Sequence, residues 1–330
     1  MKISINLKLI VYTITVISTI IVISSRNILI VWLSIEINLF SFILLLINNS
    51  TTNEIEASID YFLPQALGSI LFLISSRIIL NFHWFHEKIN ILMTIAIAIK
   101  LGIVPCHYWL PLTIEKIRWI NCLILSTWQK IAPLFIIVYI IKPKTNIRTL
   151  MAALNALIGR IIGLRQAHIK KIIAYSSITH IGWILVGPAT KTPCISIAYL
   201  ILYRIISIPL FTILNKTNIN TLYQPWKKQN TPNNLKICTV ILLLSLGGLP
   251  PLTGFVPKLL IINILLKYSI MLTIILIFAS LLNLYFYLNI RLNILITTKI
   301  KKLYENSKNI PNPTNIALRI RSLGLILIIL

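Results

Sequence analysis

The sequence predicts an all-α fold: a polytopic transmembrane helical bundle of about eleven helices, two of them broken within the membrane. Three observations carry that prediction. The 330 residues are 57% hydrophobic and 12% charged, about half the charge fraction of a soluble domain, and the mean hydropathy is +0.88. Eleven apolar stretches follow one another, each close to the roughly 20 residues that cross a bilayer. Two of them are interrupted by glycine and proline, with a lysine beside each interruption.

In order, the stretches run over 3–23, 28–48, 60–80, 89–105, 119–140, 148–164, 171–187, 194–214, 236–264, 269–296 and 316–330. The first has no small-residue cleavage site and is followed at once by another apolar run, so it reads as a helix and not as a signal peptide. The fourth ends at Gly102 and Pro105, and Pro111 ends the re-entry that follows. The fifth carries Lys130 midway along its helix, with Pro133 one turn later. The sixth and seventh are short and closely joined. The ninth is too long for a straight crossing and holds GGLPPLTGF (Gly247–Phe255). Consecutive prolines remove backbone donors and kink a helix, while glycines free the backbone to turn. A break at membrane depth persists only where protein or water satisfies the freed groups. Two such breaks point to an ion-transporter architecture; packing kinks are the plainer reading. Connections are short, so 1–330 is expected to form a single integral-membrane domain.

The formal net charge of +24 raises nucleic acid as a partner, but no extramembrane region is large enough to build a basic groove with exposed aromatics. Lysines and arginines lie mostly at helix ends, where they snorkel and contact phospholipid headgroups. Cys106, Cys122, Cys194 and Cys238 are widely spaced with no CxxC pair, which leaves disulfide, iron–sulfur and zinc sites unsupported. His83 and His86, in NFHWFHEK, suit headgroup anchoring better than metal binding. There is no Walker motif and no GxGxxG, so no nucleotide or other cofactor is expected on this chain.

Loop charges orient the bundle. Even-numbered connections carry thirteen lysines and arginines against seven on the odd-numbered ones, which puts the N-terminus on the inner side. The acidic second connection (Glu54, Glu56) and the basic fifth one (Lys142, Lys144, Arg148) run against the trend.

Charge inside the spans is the strongest functional signal. Six of the seven acids (Glu54, Glu56, Asp60, Glu87, Glu115, Glu305) fall in or beside polar connections, whereas Glu36 stands in the middle of NILIVWLSIEINLFSFILLLIN. A carboxylate there costs roughly 2.5–3.5 kcal/mol on insertion scales, so it marks function and calls for a partner. Lys100, Lys130 and Lys258 lie in equally apolar settings, the first and last beside the two breaks. Burial disfavours a charged lysine and a nearby carboxylate favours it, so a lysine between the two effects can switch with its partner's state. Such a line is a proton relay; static ion pairs holding the bundle together are the alternative, although buried pairs stabilise poorly against apolar packing. His180, in AYSSITHIGWIL, is a further relay candidate: its hydroxyl neighbours either organise water or pack the helix and bond to backbone carbonyls. His107 is a weaker candidate at an interface. Arg204 and Arg291 stay protonated and are expected to pair with carbonyls or lipid phosphate, while Arg77 and Arg160 are close enough to helix ends to snorkel.

These residues fall in stretches that resemble one family. WLSIEINLFSFI (Trp32–Ile43), YFLPQALGSILFL (Tyr61–Leu73), KLGIVPCHYWLP (Lys100–Pro111), STWQKIAPL (Ser126–Leu134), KKIIAYSSITHIGW (Lys170–Trp183) and LGGLPPLTGFVPK (Leu246–Lys258) are similar, in that order, to the chain 2 family of NADH–ubiquinone oxidoreductases. That family is the mitochondrially encoded, antiporter-like membrane subunit of respiratory complex I. The resemblance spans most of the chain. It implies a bundle related to cation/proton antiporters, packed among other membrane-arm subunits of the mitochondrial inner membrane. It implies that Glu36 pairs with Lys100, that Lys130 is the central relay site, and that Lys258 leads towards the exit or a neighbouring subunit. NADH, FMN, iron–sulfur clusters and ubiquinone would then belong to the parent complex and not to this chain.

Three positions depart from the family pattern: Leu112 stands where FHFWxP is usually followed by Glu, with Glu115 the next acid. Asp60 stands where a lysine commonly precedes YFLxQA, and Pro64 lies within it, where it is expected to kink the third helix. Two rival functions remain open: a self-contained cation/proton exchanger, which needs a second acid beside Glu36, and a non-conducting structural spacer.

Overall fold

The computed structural model describes residues 5–47, 51–81, 86–140, 145–190, 192–217, 233–250 and 252–306, and every regular element among them is helical. The elements are α1 (Ile5–Ser24), α2 (Ile28–Ile47), α3 (Thr52–Asn81), α4 (His86–Leu101), α5 (Trp109–Lys116), α6 (Trp119–Thr127), α7 (Ile131–Phe135), a π-helical turn (Ile136–Ile140), α8 (Thr145–Leu164), α9 (Ile169–Ile184), α10 (Val186–Ala189), α11 (Pro193–Thr217), α12 (Asn233–Gly247), α13 (Phe255–Leu265) and α14 (Ile270–Asn306). Eight stretches among the described residues are long and apolar enough to cross a membrane, and Asn90–Leu101, Ile237–Gly247 and Phe255–Leu265 are shorter apolar helices. Ten of the eleven expected spans are therefore present as helix; 316–330 lies outside the described residues, as do His83 and the side chains of His86 and Arg291.

The helices are apolar on the outside and mixed within. On α2, Leu33, Ile37, Phe40 and Leu44 are exposed, at the 3.6-residue period of one face, while Ile35, Asn38, Leu39, Phe42 and Leu46 are buried on the other. Many serine and threonine hydroxyls inside the bundle bond to a carbonyl of their own helix: Ser41 bonds the Asn38 carbonyl at 2.9 Å and Ser75 that of Phe72 at 2.8 Å. The centre is the stretch through α9 and α10, buried throughout from Ile172 to Ala189. Gly182 lets α8 approach it closely: a Cβ there would stand 2.8 Å from the Ala152 carbonyl.

Three features differ from the sequence expectation. The third span starts earlier, at Thr52, and runs as one helix through Pro64. The fifth span is broken as well: α6 ends at Thr127, Trp128–Lys130 form a turn, and helix resumes at Ile131. Pro133 has no N–H to return to the Gln129 carbonyl, and its ring crowds that carbonyl. The amides of Trp128 and Gln129 both bond to the Ile124 carbonyl, at 2.8 and 3.1 Å. Lys130 thus sits at a helix start and not in mid-helix. Finally, Arg160 does not snorkel. It is fully buried at 0% exposure, with its guanidinium carbon 5.7 Å from the centre of the Tyr287 ring of α14.

The second, fourth and sixth connections meet at one end of the bundle. Lys116 pairs with Asp60 at 2.7 Å and Glu56 at 3.3 Å, Arg118 with Glu54 at 2.7 Å, and Lys171 with Glu115 at 2.7 Å. The acids that ran against the charge trend are the counter-charges of the basic connections beside them. Arg148, from the basic fifth connection, is buried and donates to the Pro188 carbonyl of α10.

Candidate functional site

Each break is capped by side chains from other helices, and each carries one of the predicted lysines. At the α4 break, Gly102 takes a left-handed φ of 69°, which glycine adopts without a Cβ clash. Trp109 donates its indole N–H to the Ile99 carbonyl at 3.0 Å, Gln65 of α3 donates to the Lys100 carbonyl at 3.1 Å, and the Val104 amide donates to Asn155 of α8 at 2.8 Å. At the α6 break, Arg204 of α11 donates to the Thr127 carbonyl at 3.3 Å, the carbonyl partner expected for it. At the α12 break, Gly248 has φ 82°, and the chain turns so that carbonyls point inward.

Those inward carbonyls hold Lys258. Its ammonium on α13 donates to Gly247 at 2.6 Å and Leu246 at 3.2 Å, and lies 5.9 Å from the Trp183 ring centre. Lys100 and Lys130 are equally buried, 5% and 7% exposed, but neither ammonium has a hydrogen-bond partner among the described residues. They share a cavity of about 20 Å³ lined with Asn38, Tyr61, Gln65 and Gln129 as polar groups. That is room for a single water with several polar neighbours. Gln129 also donates to Asn38 at 3.1 Å, tying α2 to the break.

Lys130 lines a second, smaller void of about 10 Å³ together with Ser126, Thr127, Ser177, Arg204 and His180, at the lower limit for a water. His180 is 4% exposed. Its Nδ1 is hydrogen-bonded to the Tyr199 hydroxyl of α11 at 2.8 Å, and the Tyr203 ring packs 4.9 Å from it. The imidazole lies in the combined field of Lys130, Lys258 and Arg160. Nearby, Ser176, Ser177 and Thr179 all donate to carbonyls of their own helix, at 2.8, 2.7 and 2.6 Å, and Ser177 also lines the void.

Glu36 is half-buried, with one carboxylate oxygen enclosed and unpartnered. It lies within electrostatic reach of Lys100 and Tyr61. The two do not touch: no ion pair within 4.0 Å joins Glu36 to Lys100, and the ion pairs among the described residues involve Glu54, Glu56, Asp60 and Glu115. Among the described residues no ion pair within 4.0 Å joins the core charges to one another. His107, expected at an interface, is instead buried at 2% exposure, its Nδ1 3.2 Å from the Pro105 carbonyl.

Sequence reasoning missed Arg160, Tyr199 and the polar residues Asn38, Gln65 and Asn155. Arg160 had a signal: Gly159 and Gly163 flank it. Small residues on a membrane helix mark close helix contact, and these two press against Tyr175 and Thr179 of α9, so a side chain between them faces protein. Asn38, two positions from Glu36 and inside the same span, was a polar residue at membrane depth and could have been selected on that ground.

The chain has known relatives. Residues 25–283, which include Glu36 and all three core lysines, match the family model described as NADH:quinone oxidoreductase/Mrp antiporter, TM. Among known proteins, the NADH-ubiquinone oxidoreductase chain 2 of Lumbricus terrestris is 41% identical over 277 residues, covering 83% of each chain. That of Oryctolagus cuniculus is 37% identical over 314 residues, covering 89% of each. Among solved structures, a chain of respiratory complex I from Thermus thermophilus with bound aureothin superimposes with a TM-score of 0.77 at 21% identity, over 85% of this chain and 68% of that one. A chain of the Mrp complex from Dietzia sp. DQ12-45-1b superimposes with a TM-score of 0.76 at 21% identity, over 85% of this chain and 59% of that one. The structural likenesses carry the fold, and the sequence relatives carry the assignment: this chain belongs to the NADH-ubiquinone oxidoreductase chain 2 family.

Proposed function

We propose that this chain is a core membrane-arm subunit of a proton-translocating NADH:ubiquinone oxidoreductase, relaying protons along Glu36, Lys100, Lys130, His180 and Lys258. The carrying observation is the alternation of buried titratable groups with water-sized voids: Lys100 and Lys130 border one, Lys130 and His180 the next. Lysines facing water-sized voids and not carboxylates can gain and lose protons without stranding a counter-ion. Energy would arrive as an electrostatic or conformational change from neighbouring subunits. Moving one charge against the membrane field costs about 2.3 kcal/mol per 100 mV, within reach of a few kcal/mol of coupling per step. NADH, FMN, iron–sulfur clusters and ubiquinone belong to the parent complex in this reading. The chain forms one integral-membrane domain in the mitochondrial inner membrane, in contact with other membrane-arm subunits and phospholipid. Its N-terminus lies on the matrix side, a placement supported by the loop charges and the gathering of three even-numbered connections at one end.

Lys130→Met and Glu36→Gln test this in the assembled complex. Native electrophoresis should show both variants in the large NADH-oxidising band at normal levels, while NADH-driven proton uptake by membrane vesicles falls about tenfold or more. Normal assembly with normal pumping would establish a structural spacer. Migration of the chain as a small, activity-free species would instead favour a self-contained exchanger. Such an exchanger needs a second acid near Glu36, whereas Glu54, Glu56, Asp60 and Glu115 are committed to ion pairs at one end of the bundle.

A further inference from the structure

We propose that Asn155 of α8 is a positioning residue for Lys100: together with Gln65 it holds open the helical hydrogen bond between the Val104 amide and the Lys100 carbonyl. The inference rests on the relay reading above and adds a residue to it. In an unbroken helix each amide donates to the carbonyl four residues earlier, so the Val104 N–H belongs to the Lys100 oxygen. Here both halves of that bond are taken by other helices. The Val104 N–H donates to Asn155 Oδ1 at 2.8 Å, and Gln65 Nε2 donates to the Lys100 carbonyl at 3.1 Å. Neither direction is open to choice, because a backbone amide can only donate and a carbonyl can only accept. All four residues are buried.

Asn155 stands on a helix packed without slack. A Cβ on Gly182 of α9 would lie 2.8 Å from the Ala152 carbonyl oxygen and 3.0 Å from the Ala156 amide nitrogen, and one on Gly159 would lie 3.2 Å from the Tyr175 carbonyl oxygen. α8 and α9 are thus in close backbone contact before and after Asn155, and α9 carries His180. Through Asn155 the turn at Lys100 is tied to that pair of helices. Without the Asn155 oxygen the Val104 amide is buried and unpaired, a penalty that the chain escapes by closing the bond to Lys100. Closing it displaces Gln65, which lines the cavity that Lys100 and Lys130 share, and winds the turn back into α4. The Lys100 ammonium then moves with its backbone relative to that cavity.

Asn155→Leu keeps the branched shape and removes the oxygen. In the assembled complex, NADH-driven proton uptake per unit of NADH-oxidising band should fall about fivefold or more, matching one unpaired buried amide, and the half-life at raised temperature should shorten. Adding Gln65→Leu frees both halves of the bond to meet, so the double variant should regain half-life without regaining uptake. A merely structural residue would not separate the two readouts. Native uptake in Asn155→Leu, alongside lost pumping in Lys130→Met, overturns the role of Asn155 and leaves the relay intact. Native uptake in both overturns the relay itself. Uptake that returns with half-life in the double variant, or a double variant no longer-lived than Asn155→Leu, also overturns the proposal. Where Asn155→Leu alone does not assemble, the double variant decides: assembled complex with lost uptake upholds the proposal, and failed assembly or native uptake overturns it.

Discussion

Gly68 tests whether Lys100 is held in a fixed place. It lies on α3 against α4, where an added Cβ would stand 2.9 Å from Lys100 Cγ and 3.0 Å from the Ala96 carbonyl oxygen. Neither atom is the loose end of a side chain: Cγ is near the root of the lysine, and the carbonyl is helix backbone. Alanine in a helix interior gains about 0.5–1 kcal/mol over glycine. Forcing a methyl group into a packed contact costs about 1–3 kcal/mol. The balance is a net loss of roughly 1–2 kcal/mol, a factor of about 5–30. Lys100→Ala removes Cγ and with it the closer of the two contacts, so Gly68→Ala should do little further harm in that background. The assay is the half-life of the solubilised complex at one raised temperature, since large assemblies unfold irreversibly. Gly68→Ala should shorten it by up to about 5- to 30-fold in the native chain, and by under about threefold in the Lys100→Ala chain. Equal shortening in both backgrounds would show that the two residues act independently and would refute the packing argument.

Gly248→Ala meets two obstacles at once, a left-handed φ of 82° and a Cβ that would lie 2.7 Å from Lys258 Nζ. The first costs about 1–2 kcal/mol. The second pushes the ammonium off the Gly247 carbonyl, worth about 1.5–3 kcal/mol for a charged hydrogen bond. Native electrophoresis should show markedly less assembled complex, and a normal band would mean that Lys258 does not depend on this turn. In the ion-pair cluster at one end of the bundle, the Lys116 pKa is raised above its ordinary 10.5, first by its hydrogen bond to Asp60 and then by Glu56. Its contribution to stability is therefore full below that ordinary value and lost as pH rises through the higher folded one. The half-life difference between native and Lys116→Met complexes should be constant from neutral pH to about 10 and shrink above it. A difference that grows with alkalinity would contradict the pairing.

The apolar runs, the two glycine–proline breaks and the charges at membrane depth were legible because the bilayer penalises every exception to apolar helix. Glu36, Lys100, Lys130 and Lys258 stand out against such a background by type alone. The break at Lys130 was not legible: a single proline one turn later reads as a kink, and Arg204 on α11 and Gln129 against Asn38 supply the partners that open it into a turn. Arg160 was misread because four residues from the end of a span look like snorkelling distance. Only the packing of α8 against α9 and α14 turns that side chain inward. Tyr199 and His180 are 19 residues apart, and no periodicity within either helix announces a bond between them.

The choice of partner separates the two charge systems of this chain. In the cluster at one end of the bundle each acid meets a basic side chain, and around Lys116, Glu56 and Asp60 water can solvate either partner if the other changes. Inside, Lys258 is held by two carbonyls, and Lys100 and Lys130 face voids. A buried carboxylate partner would be left uncompensated whenever its lysine released a proton, a penalty of about 3–5 kcal/mol for a broken buried pair. A carbonyl carries no such penalty, because a neutral amine still has two N–H donors to offer it. The Leu246 and Gly247 carbonyls can therefore hold Lys258 in either state, and in the proposed relay the break that creates them takes part. Glu36, set within the field of Lys100 but out of contact with it, would in the proposed relay bias the first lysine without locking it. A contact ion pair at that position would stabilise one state of the line at the expense of movement along it.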